Sequence, residues 1–139
     1  MILVRASSNG EVSTPPSTEL MTAMLAFNTS MVDAGILVSG EGLLPSSKGA
    51  RVQFSSGSDT TVTNGPFEAG SLISGFWVIK AKDLDEAVAW ARKAPFGQFA
   101  SNDGQVLEVR QIASADDFGD LMTDELKKGE EELRKRVDG

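Results

Sequence analysis

Neither cysteine nor histidine occurs anywhere in this 139-residue chain. The first absence removes disulfides, thiolate nucleophiles and thiolate metal sites. The second removes the commonest metal ligand and the usual general base. A metal site would have to be built from carboxylates alone, and acid–base work would fall to Asp, Glu, Lys or Arg. No metal and no other cofactor is expected. Long hydrophobic runs are also missing, since none approaches the ~20 residues that a bilayer-crossing helix needs. Met1 leads directly into Ile2-Leu3-Val4-Arg5, without the basic flank and small-residue cleavage site of a signal peptide. A cytoplasmic protein with no membrane partner is therefore expected. There is no basic block either, and the net charge is −7, with nine acids against five bases from Ser114 onward. Direct nucleic-acid binding draws most of its affinity from neutralising phosphates, so this charge balance argues against it.

What is present suits one globular domain: 40% apolar residues and 24% charged ones. Residues 2–6 form a short apolar run suited to a buried strand, followed by a polar segment with Asn9-Gly10 as a turn signal. Ser17 is a good helix N-cap and Glu19 an acid in the first turn. Leu20, Met24, Phe27 and Met31 then recur at helical spacing until Gly35 supplies a stop. Residues 36–44 read as a strand whose second half places Glu41 between Gly40 and Gly42. Glycine inside a strand marks a bulge or a close approach to the backbone. Residues 51–54 and 60–63 read as a hairpin, and 72–81 as the strongest strand, with an unbroken apolar run that suggests burial on both faces. Asp83 with Glu86 is a relative of the capping box and opens a second helix that ends before Pro95, with Leu84, Val88 and Ala91 on one face. After a loop with Asp103-Gly104, residues 105–112 form the last strand.

Strand, helix, strand, hairpin, strand, helix, strand is the split β-α-β arrangement with extra hairpin material between its halves. The fold class is α+β: a ferredoxin-like sandwich with an inserted β-hairpin over residues 1–113, followed by an acidic, helical C-terminal arm over 114–139. Two helices cover one sheet face and leave the other bare. Packing two such faces together as a homodimer, a dimeric α+β barrel, is one solution. The arm reads as a polar helix over 116–137, broken at Gly129, and either lies on the partner or is a solvated tail.

Several short motifs occur in order along the chain. They are Gly40-Glu41-Gly42-Leu43, Pro45-Ser46-Ser47-Lys48-Gly49, Asn64-Gly65-Pro66-Phe67, Ile73-Ser74-Gly75-Phe76-Trp77, Glu108-Val109-Arg110-Gln111-Ile112 and Asp117-Phe118-Gly119. Together they resemble the YCII-related family, and more closely its DGPF-motif branch. The resemblance implies a ferredoxin-like domain that dimerises through its sheet. It gives little functional guidance: some relatives are thought to be enzymes, including a chloromuconolactone dehalogenase, and DGPF-type proteins are often encoded near sigma factors.

Two departures matter. The aspartate for which the branch is named is Asn64 here, and the histidine proposed as a catalytic partner in the wider family has no counterpart, which excludes a His/Asp dyad. Asn64 reads first as a turn former, because Asn and Gly tolerate positive φ. Glu41 is the leading candidate for acid–base work, because its glycine neighbours leave space beside it. The alternative for Glu41 is a carboxylate that caps backbone amides or pairs with an arginine at a bulge. Arg5 and Arg110, on strands expected to be central, either bind a ligand carboxylate or are satisfied by Glu108 or Glu41 across the dimer. Phe67 and Trp77 are either core and interface residues or a stacking platform. Two functions follow. One is a small-molecule cleft lined by Glu41, Asn64, Phe67, Trp77, Arg5 and Arg110, with a small carboxylate or lactone as ligand. The other is a noncatalytic accessory or regulatory protein associated with transcription and acting through protein contacts.

Overall fold

The computed structural model describes residues 1–6, 11, 16–57, 59–99 and 104–139. The Asn9-Gly10 turn and Asp103 lie outside them. Its elements run β1 (Ile2–Arg5), α1 (Thr18–Asp33), β2 (Leu37–Gly42), β3 (Ala50–Phe54), β4 (Thr60–Asn64), β5 (Ile73–Ile79), α2 (Leu84–Ala91), β6 (Leu107–Val109) and α3 (Asp124–Asp138). Four strands form one antiparallel sheet in the order β2-β5-β1-β6, and β3 pairs with β4 as a separate hairpin. The two β-α-β halves interleave so that the first and third strands of the sheet are central, which is the ferredoxin-like order.

The helices start where the chemistry of their caps dictates. The Ser17 hydroxyl accepts from the Leu20 N–H, and the Asp83 carboxylate accepts from the Glu86 N–H. Each satisfies an amide that the first turn leaves without a partner. Glu86 in turn accepts from the Lys82 N–H at 2.7 Å. Both helices lie on one sheet face. There Ile2, Val4 and Trp77 are buried against Phe27 and Met31 of α1 and Ala91 of α2.

The buried face of α2 differs from the expected one. Ala87 and Ala91 point inward, with Trp90 packed beside them, whereas Leu84 and Val88 are exposed. Alanines allow a helix to sit close to β6, where a leucine would hold it away.

Side chains alternate across a strand, so the residues between the buried ones face the opposite, uncovered side. Leu3, Phe76 and Val78 are half-buried there. Burial on both faces of β5, expected from its unbroken apolar run, is thus not met within one chain. The C-terminal region also departs from expectation. A 3-10 segment (Ala115–Leu121) precedes α3, and Gly129 lies inside α3 without breaking it.

Candidate functional site

Two turns meet at the end of the sheet where β2 stops and β5 begins. Pro45 leads into a short 3-10 turn (Ser46–Lys48), and Asn64-Gly65-Pro66-Phe67 folds against it with a cis Gly65–Pro66 peptide. Ser46 is the centre of the contact and is buried. Its hydroxyl accepts from the Phe67 N–H at 3.0 Å and donates to the Glu11 carboxylate, whose other oxygen accepts from the Ser46 N–H. Gly65 donates its N–H to the Gly49 carbonyl at 3.0 Å. A Cβ on Gly65 would stand 1.8 Å from the Ser46 carbonyl oxygen, so no side chain fits. The need for glycine is therefore close approach and not positive φ, since neither Asn64 nor Gly65 has one. Asn64 is exposed, and among the described residues its amide makes no hydrogen bond.

Phe67 is held from the other side by Arg51, whose guanidinium lies over the ring 4.0 Å from its centroid. Arg51 also donates to the Ser71 hydroxyl at 2.7 Å. The loop is fixed a third time by Arg5, which donates to the Gly70 carbonyl at 2.8 Å. Phe67 is thus a packed anchor for the turn, half-buried.

On the uncovered sheet face, Arg5 and Arg110 share one carboxylate. Glu108 accepts from Arg5 at 3.1 Å through one oxygen and from Arg110 at 3.2 Å through the other. Arg110 and then Arg5 hold the Glu108 carboxyl below its ordinary range. Both arginines are thus paired with Glu108 inside one chain, where the sequence reading looked for pairing with Glu108 or Glu41 across a dimer. The Arg110 side chain remains 70% exposed, against 37% for Arg5.

Glu41 sits across the sheet on β2, opposite Phe76. It is exposed, and among the described residues its carboxylate has no hydrogen bond or ion pair, so neither the amide-capping nor the arginine-paired alternative is seen among them. The space expected beside it is open on one flank only. A Cβ on Gly40 would meet the Trp77 ring at 2.5 Å, whereas Gly42 has nothing within 4 Å. Gly40 therefore makes room for an indole and not for a ligand.

Trp77 belongs to the opposite face. It is 4% exposed, packs edge-on against Phe27 with ring centroids 5.4 Å apart, and donates its indole N–H to Asn28 at 2.8 Å. One chain therefore does not bring Trp77 and Glu41 into a common cleft. It groups Arg5 and Arg110 around Glu108, leaves Glu41 at the far edge, and places Asn64 and Phe67 in the turn at the sheet end. Sequence reasoning gave no role to Glu11, Ser46 or Arg51. The Pro45-Ser46-Ser47-Lys48-Gly49 motif was the available signal for Ser46, but its partners are 21 and 35 residues away.

Among the described residues no three acids are grouped so as to hold a metal ion, and no helix is long and apolar enough to cross a membrane. The sheet order and the paired turns define an α+β domain of ferredoxin-like topology. The chain belongs to the YCII-related family: the model described as YCII-related domain matches residues 1–116. No curated protein matches it.

Proposed function

We propose that this YCII-related chain is a homodimeric small-molecule-binding protein. Two sheets meet by their uncovered faces as a dimeric α+β barrel, and the cleft between them takes a small carboxylate or lactone. Support comes from that face: among the described residues, Leu3, Phe76 and Val78 stand half-buried with no helix over them, between two guanidiniums on one side and, on the other, the Glu41 carboxylate, which has no partner among those residues. An apolar strip of this kind gains by being covered, and guanidinium is well suited to a carboxylate. In this reading Glu41 accepts a proton or hydrogen bond from the ligand, with no His/Asp dyad to assist it. Arg110, with Arg5 behind it, attracts the ligand's charge. Asn64 and Phe67 shape the sheet end, and Trp77 supports Glu41 from beneath through Gly40. Residues 1–113 form the body and 114–139 an arm.

The test is thermal shift of the wild type and Glu41→Gln against short-chain monocarboxylates and lactones. Ligand at about 100 times its Kd stabilises by roughly 2.7 kcal/mol, several degrees for a domain of this size. A rise in Tm for the wild type that Glu41→Gln loses supports the site. No rise for any compound removes it.

A second reading, a noncatalytic accessory protein linked to transcription and acting through protein contacts, draws on α3. Leu126, Leu133 and Val137 are exposed at helical spacing along it. Removal of residues 120–139 with no change in partner pull-down would exclude the arm from that role.

A further inference from the structure

We infer that the cleft is composite, with Glu41 of each chain facing the Arg5–Glu108–Arg110 cluster of a second copy. This rests on the homodimer reading above and identifies which residues meet. The strand register places four open-face side chains in one row across the sheet: Glu41 on β2, Phe76 on β5, Leu3 on β1 and Glu108 on β6. The β6 end carries two guanidiniums on one carboxylate, a local excess of one positive charge. The β2 end carries Glu41, with no ion pair among the described residues. The middle is apolar. Continuing the alternation of β5 past its end, Lys80 is the next open-face charge, about 13 Å beyond Phe76, too far to neutralise Glu41.

This pattern of charge, apolar strip and opposite charge is self-complementary. An isologous contact sets the same patch against itself, so it is favourable only where unlike charges exchange places. A two-fold axis parallel to the strands, passing between Phe76 and Leu3, does this. It lays Phe76 over the partner's Leu3 and β2 over the partner's β6. An axis across the strands would instead oppose Glu41 to the partner's Glu41, and like charges facing each other are costly.

The same geometry resolves why the candidate site residues are scattered. Within one chain Glu41 and Glu108 are three strand spacings apart, about 14 Å. A small lactone or short carboxylate cannot touch both ends. Across two sheets packed about 10 Å apart, a glutamate and the long arginine side chains reach one another. Each end of the interface then holds two carboxylates and two guanidiniums. A ligand carboxylate entering there competes with Glu41 for Arg110, the more exposed of the two arginines. The ligand class is accordingly a monoanionic carboxylate, and the site is incomplete in a single chain.

The test is sedimentation equilibrium at low salt on the wild type, Glu41→Arg, Arg110→Glu and the double variant, with far-UV circular dichroism as the folding control. Both positions are exposed, so the variants should fold. Each single change is expected to raise the dimer Kd about tenfold or more, because close interfacial charge pairs couple strongly, and the double variant should recover most of the loss. Mixing the two single variants should also give a heterodimer with both ends matched, a measurement that survives if the double variant is unstable. Single variants that dimerise like the wild type, or a double variant no better than either with no heterodimer on mixing, would overturn the pairing while leaving the dimer intact. A wild type that stays monomeric throughout would overturn the homodimer reading itself.

Discussion

Gly65 and Gly42 look alike in sequence, each directly after a candidate site residue, yet they carry different constraints. Gly65→Ala would drive a methyl into the Ser46 carbonyl, and both partners are backbone, so neither can rotate away. The expected loss is about 3 kcal/mol or more, at the upper end for point substitutions, read from urea unfolding. Gly42→Ala meets nothing within 4 Å and should stay within about 0.5 kcal/mol. Asn28→Leu leaves the Trp77 indole N–H without its acceptor in the core, at a cost of about 1–3 kcal/mol. Glu108 supplies a pH signature. Arg110 and Arg5 lower its carboxyl from the ordinary 4.5, so the unfolded chain binds its proton more readily than the folded one. Its contribution is complete above about pH 4.5 and disappears as pH falls through the lowered value. Unfolding midpoints measured from pH 7 to pH 3 should decline less steeply in Glu108→Gln.

Among the elements, α1 and β5 were legible because a period of burial writes itself into the order of residues: Phe27 and Met31 recur at four, and the β5 run is continuous. The inward face of α2 was not, because Leu84 and Val88 are exposed while Ala87 and Ala91 are buried with Trp90 packed beside them. Nor could spacing reveal the contact of Ser46 with Glu11 and Phe67, or that Gly40 serves Trp77, since those partners are distant along the chain. Gly129 was read as a helix break, yet α3 continues through it. A single exposed glycine costs a helix about 1 kcal/mol, which the Thr123 cap and the Arg134–Glu130 pair at 2.6 Å help to offset. Because α3 buries none of its residues, removing residues 124–139 should leave the monomer's unfolding free energy unchanged within about 0.5 kcal/mol, by urea titration.

At the scale of the molecule, an assembly joined by opposite charges around an apolar strip should weaken as salt rises, because exposed charge pairs are screened. Sedimentation in 0.05 M and then 0.5 M salt, conditions of about 14 Å and 4 Å screening length, should show the proposed dimer loosening without unfolding. The clamp between the two turns has another consequence, for engineering. Gly65 bonds Gly49 at 3.0 Å and Phe67 bonds Ser46 at 3.0 Å, so both ends of the β3–β4 hairpin are tied at its base. An insertion at its tip, between Phe54 and Thr60, is therefore expected to leave the unfolding midpoint of the sheet unchanged. That makes the hairpin a natural handle for a label or an inserted peptide, one expected to lengthen the hairpin without altering the register of the four strands below it.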